Sequence, residues 1–219
     1  MPNASTSFFG WVAFLLQKYG MLFLRGTGMT LLIALTGTAL GFALGLLVAI
    51  IRTIALPEKK KAGSNAGVTV KRGLLRFVHM LMNVYIQVFR GTPMIVQAVV
   101  IYYGAQYAGV FMDTTFAAVF IISINTGAYM AEIIRGGIVS VDKGQFEAAH
   151  AIGMTHWQTM TTVVLPQAIR NILPSVGNEL IVNIKDSSVL NVISVSELFF
   201  QAKSAAGTYY RYFEVYFII

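Results

Sequence analysis

The sequence predicts an all-α integral membrane protein of five spans, and three observations carry that reading. Of 219 residues, 56% are hydrophobic and 11% charged, with a mean hydropathy of +0.69, which is more apolar surface than one soluble core can hide. Uncharged runs long enough to cross a bilayer recur along the chain. The basic residues behind the net charge of +7 gather between those runs, where a membrane protein keeps its cytoplasmic charge, rather than on a nucleic-acid-binding face. The absence of cysteine excludes disulfides and thiolate metal sites. The N-terminal MPNASTSFFGW lacks the positive region of a secretory signal, so the first apolar stretch is expected to be retained.

The elements follow in order. Residues 8 to 24 are apolar but broken by Gln17 and Lys18, which suits a helix lying at the membrane interface, so residues 1 to 26 are read as an external or interfacial segment. The first span covers residues 27 to 51, uncharged throughout, since about 20 apolar residues suffice to cross. Gly37, Gly41 and Gly45 form a stripe at spacing four that lets another helix approach closely. Residues 52 to 76 hold seven Lys or Arg, among them Lys59, Lys60 and Lys61, against the single acid Glu58, while residues 104 to 115 hold no base and one acid. This puts the first loop in the cytoplasm; its AGSNAGVT centre reads as linker, and its lysines mark topology ahead of anionic lipid binding.

The second apolar run, residues 94 to 108, is about 22 Å long as a helix, too short for a hydrocarbon core of about 30 Å. Part of 77 to 89 must therefore enter the membrane. That sets Arg90, Gly91, Thr92 and Pro93 near or inside the cytoplasmic boundary, with Pro93 kinking the helix and Gly91 leaving room for a neighbour. Arg90 reads as a snorkelling anchor or an ion-pair partner, ahead of direct substrate contact. The third span covers about 116 to 134, interrupted by Asn125 and by Glu132 close to its cytoplasmic end, with Arg135 marking the interface. The fourth covers about 172 to 192, followed by a polar stretch at 194 to 208. The last apolar run, 212 to 219, is too short to cross, so the chain reads as cut inside a fifth span, with the N-terminus outside and the C-terminus inside.

Between the third and fourth spans lies a polar segment, EAAHAIGMTHWQTMTTVVLP, at 147 to 166 within a cytoplasmic hairpin of about 140 to 167. Residues 146 to 152 are alanine-rich and favour a helix, Gly153 can take a left-handed conformation that ends it, and 157 to 164 resume a helical pattern that Leu165 and Pro166 stop. Glu147 reads as lying at the start of the first short helix, where the dipole favours a carboxylate. Ala148 and Ala149 leave space for a bulky partner side chain.

The spacing of Glu147, Ala148, Ala149, Gly153, Leu165 and Pro166 resembles the EAA loop of permease subunits in ATP-binding-cassette importers. One mild departure is Val163, where that family has Ile. FRGTPMIVQ at 89 to 97, AYMAEIIRGGIVSVDKGQFEAA at 128 to 149 and NELIVNIKDSSVL at 178 to 190 are similar to the polar amino acid permease branch. The long basic loop and the missing end depart from it without touching those segments.

The resemblance implies a five-span type I importer-like permease domain over 27 to 219, in a bacterial cytoplasmic membrane. It implies a second permease copy or homologue, a cytosolic ATPase dimer on the EAA loops, and an extracytoplasmic solute-binding protein that delivers a polar amino acid. ATP and Mg would be bound by the ATPase and no cofactor by this chain, which has no GxxxxGK[ST] phosphate loop and is expected not to be an enzyme. Glu179, Asn183 and Ser187 recur at spacing four with Asn178 beside them, and Asn191 extends the stripe. A carboxylate with an amide can hold an α-ammonium group or a cationic side chain; the alternative is that Glu179 pairs with a neighbouring base and fixes packing. An ATP-independent pore or ion-coupled carrier is the other functional class, but no internal repeat with interrupted helices is visible. A membrane-embedded enzyme would need a His cluster, a Ser-Lys pair or paired acids, none of which the spacing provides.

Overall fold

A computed structural model describes residues 7 to 53 and 66 to 219, with side chains from residue 70 in the second stretch. Glu58, the Lys59 to Lys61 cluster and most of the expected linker lie outside the described residues. α1 is one helix, Phe8–Thr53, of 46 residues, about 69 Å long. It absorbs both the expected interfacial piece and the first span without a break at residue 26. Gln17 and Lys18 do not interrupt it because both are good helix formers, and polarity alone cannot end a helix. The Lys18 ammonium instead donates to the Tyr209 hydroxyl and lies 5.1 Å over that ring.

α2 (Ala66–Gly91) and α3 (Met94–Tyr107) are separate helices, bent by 114° at the break between them. The sequence leads one to expect a single span kinked at Pro93. The bend is far larger because Pro93 disfavours the helical region for Thr92, and the Thr92 hydroxyl turns back to the Val88 carbonyl at 2.8 Å. α4 (Thr114–Val139) is followed by α5 (Lys143–Ala151) and by a continuous helical run made of α6 (His156–Gln158), a π-turn (Thr159–Val164) and α7 (Leu165–Asp186). A 3₁₀ segment, Ser187–Ile193, precedes α8 (Leu198–Tyr209) and α9 (Tyr212–Ile218). Among the described residues, α1 and α4 are each long and apolar enough to cross a membrane, and α2 with α3 pass that test as one bent pair. α7 carries Glu179, Lys185 and Asp186, which lowers its apolar content.

Helix α8 falls on the stretch read from the sequence as polar. Its sequence turns one face of small residues, Ala202, Ala205 and Ala206, against Leu15 and Phe23. Glu197 caps it, its carboxylate accepting from the Phe199 and Phe200 amides at 2.8 and 2.6 Å. Local capping of this kind overrides a weak hydrophobic signal.

The residues divide into two compact units. The first, Met1–Gly37, Met94–Ile122 and Ile181–Ile219, is built on Ile33, Ile121, Ile122, Leu190 and Ile193, all buried, with a second cluster around Leu15 and Val215. The second, Thr38–Pro93 and Ser123–Leu180, packs α1, α2 and α4 around Val48, Ile86, Ala128 and Ala131. Two glycines of the stripe, Gly41 and Gly45, do their work in this second unit. A Cβ at Gly45 would stand 2.4 Å from the Met130 Cβ and 2.8 Å from the Ala131 amide nitrogen, and one at Gly41 would stand 2.6 Å from the Thr126 Cβ. The α1 and α4 backbones thus approach as closely as small residues allow.

Candidate functional site

The hairpin between α4 and α7 is a folded object. Asp142 caps α5, accepting from the Gly144 amide at 2.6 Å. At the other end Gly153 takes φ +83°, its amide donating to the His150 carbonyl and the Met154 amide to the Ala149 carbonyl, both at 3.0 Å. These two bonds make a Schellman motif, which requires the left-handed residue. Thr155 then opens the next helix with a reciprocal capping box to Gln158. The Thr155-His-Trp-Gln158 signature and an Asp ahead of α5 are both legible in the sequence as helix starts.

Glu147 does not lie at a helix start. It is the fifth residue of α5, because Asp142 caps a helix that starts at Lys143, three residues earlier than the alanine content suggests, and no acid occupies the first turn. Glu147 and Ala148 are exposed, and Ala149 is buried. Beneath them Val141, Val164 and Ala168 are buried with Ile138, Phe146 and Met160 packed against them, fixing the hairpin to the end of α4. Asn171 donates to the Ser140 hydroxyl at 2.9 Å, and Gly137 lets Ile172 approach its backbone. At the tip, beside Gly153, Ile152 and Trp157 are 79% and 75% exposed, two large apolar side chains left uncovered by the described residues.

Leu165 and Pro166 do not stop the helix either. Leu165 is partly buried, Pro166 is exposed, and the chain is helical from His156 to Asp186. The Leu165 amide reaches the Met160 carbonyl, a π-type bond. That wider turn, just before a proline that lacks an N–H and crowds the carbonyl four residues back, accommodates Pro166 where a regular α-turn would strain.

Farther along α7, Glu179 and Asn183 share one buried face, and Ser187 continues it into the 3₁₀ segment. Asn178 lies one residue off that face and is exposed. Asn191 receives a hydrogen bond from Lys203 at 3.5 Å. At the α2 end, the Arg90 guanidinium sits 5.3 Å over the Tyr129 ring rather than in an ion pair, Asn125 donates to the Phe89 carbonyl at 3.3 Å, and nothing stands within 4 Å of a Cβ at Gly91, so no close neighbour uses the room that Gly91 leaves.

One polar cluster was out of reach of sequence reasoning. Arg52 of α1 donates to Glu132 of α4, whose other oxygen accepts from Arg135 at 3.0 Å. Arg52 and Glu132 are 80 residues apart and carry no local signal of pairing.

Helices long and apolar enough to cross a membrane, with a folded helix-turn-helix that exposes an apolar tip, define a membrane protein. The chain belongs to the family of binding-protein-dependent transport system inner membrane components, whose sequence profile matches residues 63–219. It is 38% identical over 197 residues to the glutamine transport system permease protein of Escherichia coli strain K12, covering 89% of this chain and 81% of that protein. A crystal structure of an amino acid ABC transporter with histidines matches with a TM-score of 0.81 at 38% identity, over 98% of this chain and 89% of that one. An inward-facing structure of a methionine ABC transporter shares the fold at TM-score 0.67 and 21% identity, over 92% and 88% of the two chains. The chain is a membrane permease component of the ABC transporter class and not an enzyme.

Proposed function

We propose that this chain is the permease subunit of an ATP-driven importer of polar amino acids. It forms the solute path by alternating access and takes its drive from a cytosolic ATPase pair through the hairpin at 147 to 166. The observation that carries this reading is mechanical continuity: a hairpin with an exposed apolar tip runs without a helical break into the helix that bears Glu179. From Leu165 to Glu179 is about 21 Å along the axis. Ile152 and Trp157 fill a cleft on the ATPase, with Glu147, Ala148 and Ala149 beside it; closure of the ATPase pair on ATP and Mg then moves the hairpin as a rigid body, and α7 carries that motion inward. Gly153 and the Leu165-Pro166 junction keep the hairpin's shape during the stroke.

At the receiving end, Glu179 and Asn183 supply a carboxylate and an amide for the solute's ammonium or a cationic side chain, with Ser187 and Asn178 flanking them. The glutamine transport of the Escherichia coli relative and the amino acid transport of the matched structure support this substrate class. The working assembly contains a second permease copy or homologue, the ATPase dimer and an extracytoplasmic binding protein. Five crossings, with the N-terminus outside and the C-terminus inside, put the hairpin on the ATPase side; α7 makes the fourth crossing and α9 belongs to the fifth. The test is reconstitution in liposomes with the ATPase and binding protein, following uptake of labelled amino acids. ATP-dependent accumulation is expected; uptake indifferent to ATP from a properly inserted assembly would replace the importer with a pore or ion-coupled carrier.

A further inference from the structure

Charge in the first compact unit is one-sided. Its bases are Lys18, Arg25, Lys185, Lys203 and Arg211, and its acids are Asp113, Asp186, Glu197 and Glu214. The acids are already engaged within the unit. Asp113 accepts from the Thr115 and Phe116 amides at 2.9 and 3.1 Å, Glu197 is buried as the cap of α8, and Glu214 is buried with its carboxylate 3.3 Å from Arg211. Asp186 stands next to Lys185 in the chain. Lys18, Arg25 and Lys203 are exposed, and none of the three is in an ion pair among the described residues.

Lys203 differs from the other two in its setting. Helix α8 turns Ala202, Ala205 and Ala206 inward, which leaves Lys203, Ser204, Gly207 and Thr208 exposed on its other side. Between that side and the 3₁₀ segment lies a recess of about 250 Å³, lined by Asn191, Phe200, Lys203 and Ser204. The Lys203 ammonium reaches the Asn191 side-chain oxygen at 3.5 Å, while the Asn191 amide donates to the Ser188 carbonyl at 2.6 Å. An ammonium has three N–H donors, so two remain for a ligand, with the Ser204 hydroxyl beside them. The recess suits one side chain with an anionic tip: Phe200 gives its stem an apolar wall, and Lys203 gives its tip a counter-charge. It lies at the end of the unit where Tyr103 of α3 donates to the Val192 carbonyl at 3.2 Å, next to the base-free loop that follows α3.

We propose that this recess receives an Asp or Glu side chain of the extracytoplasmic solute-binding protein, with the carboxylate seated on Lys203 and Ser204. The assignment rests on the importer reading, which supplies the partner and puts this end of the chain outside. Exposed Lys18 and Arg25 add charge of the same sign to the unit. A field of that kind steers an acidic protein surface toward the chain, and one seated charge pair then resists its release. The carboxylate of a free amino acid would call for a single counter-charge; bases spread over the unit fit a protein surface better.

The test measures binding of the amino-acid-loaded binding protein to the complete transporter in nanodiscs, at low and at physiological ionic strength. Lys203→Gln should weaken binding at least about tenfold at low salt and flatten its salt dependence, while Lys203→Arg keeps most of both. In the unsubstituted complex a water-soluble carbodiimide, which joins an amine to a carboxylate and takes up the water released as a urea, should link Lys203 to an Asp or Glu of the binding protein. Lys203→Arg should abolish that link, because a guanidinium is not acylated. The link needs no substitution, so it decides the matter even if Lys203→Gln misfolds. Full-strength binding by a folded Lys203→Gln variant, weaker binding with an unchanged salt slope, or no link at Lys203 in a complex that binds would overturn the proposal. Intact docking with lost uptake would overturn it too, by making Lys203 a station on the solute's own path. An unsubstituted transporter that ignores the binding protein at every ionic strength and takes up solute without ATP would fail the importer reading itself, and the docking site with it.

Discussion

Gly153→Val isolates the conformation of the coupling turn from its contacts. Nothing stands within 4 Å of a Cβ built at this position, so the first carbon of the new side chain meets no neighbour and the cost argued here is backbone strain at φ +83°. For an ordinary side chain the left-handed region costs about 1 to 2 kcal/mol, and a β-branched residue sits at the upper end or beyond. Two hydrogen bonds depend on that conformation, from Gly153 to His150 and from Met154 to Ala149. A penalty of about 2 kcal/mol lowers the population of the native turn relative to its alternatives roughly 30-fold, and the direction of Ile152 and Trp157 changes with it. Gly153→Asn, which tolerates the same φ, is the control. In proteoliposomes containing ATPase and binding protein, Gly153→Val should insert normally and lose at least about tenfold in ATP-driven uptake, while Gly153→Asn keeps most of it. Full uptake by the valine variant would refute the argument that this turn must be left-handed for the stroke to pass.

Three other outcomes are expected. Gly45→Ala places a methyl 2.4 Å from the Met130 Cβ and near two α4 backbone atoms, so overpacking of about 1 to 3 kcal/mol should outweigh the helix-propensity gain of at most about 1 kcal/mol; thermal unfolding in detergent should show net loss, and an unchanged midpoint would mean that the helices separate freely. Glu179→Ala should reduce solute-stimulated ATPase turnover more than basal turnover, whereas equal falls would assign Glu179 to packing. Glu197→Ala removes the acceptor for two α8 amides and should cost about 1 to 2 kcal/mol in the same unfolding measurement, with Glu197→Asp recovering part of it.

The sequence carried the membrane class, the hairpin and the glycine stripe because each is written in local spacing. Gly153 could be placed in a left-handed turn since only a few residue types reach that region, and Gly41 and Gly45 announce a close neighbour without naming it. The sequence could not supply that neighbour: α4 meets α1 through Thr126 and Met130, some 85 residues away along the chain. Three apparent helix interruptions have one reason in common. Gln17 and Lys18, Pro166 and the polar run before Thr208 all look like interruptions, yet a helix is ended by lost backbone hydrogen bonds and not by polarity, and in each case capping, a widened turn or tertiary packing kept the bonds. The ion pairs of Glu132 depend on which helices lie alongside, which no periodicity within one helix reveals.

The π-turn at Thr159–Val164 sets how tolerant this part of the chain is to changes in length. Such a turn holds one residue more than an α-helix needs for the same advance. Deleting a single residue there would let the run close into regular α-helix while leaving the rotational phase of everything downstream nearly as it was. The same deletion between Gln167 and Glu179 would turn Glu179 by about 100° relative to the hairpin, since successive residues are spaced 3.6 to the turn, and carry its carboxylate off the buried face. The hairpin and α7 therefore behave as two toothed parts meshed at one loose tooth: within this helical run length can change at the π-turn, and elsewhere the angle between the exposed tip and Glu179 is fixed by residue count.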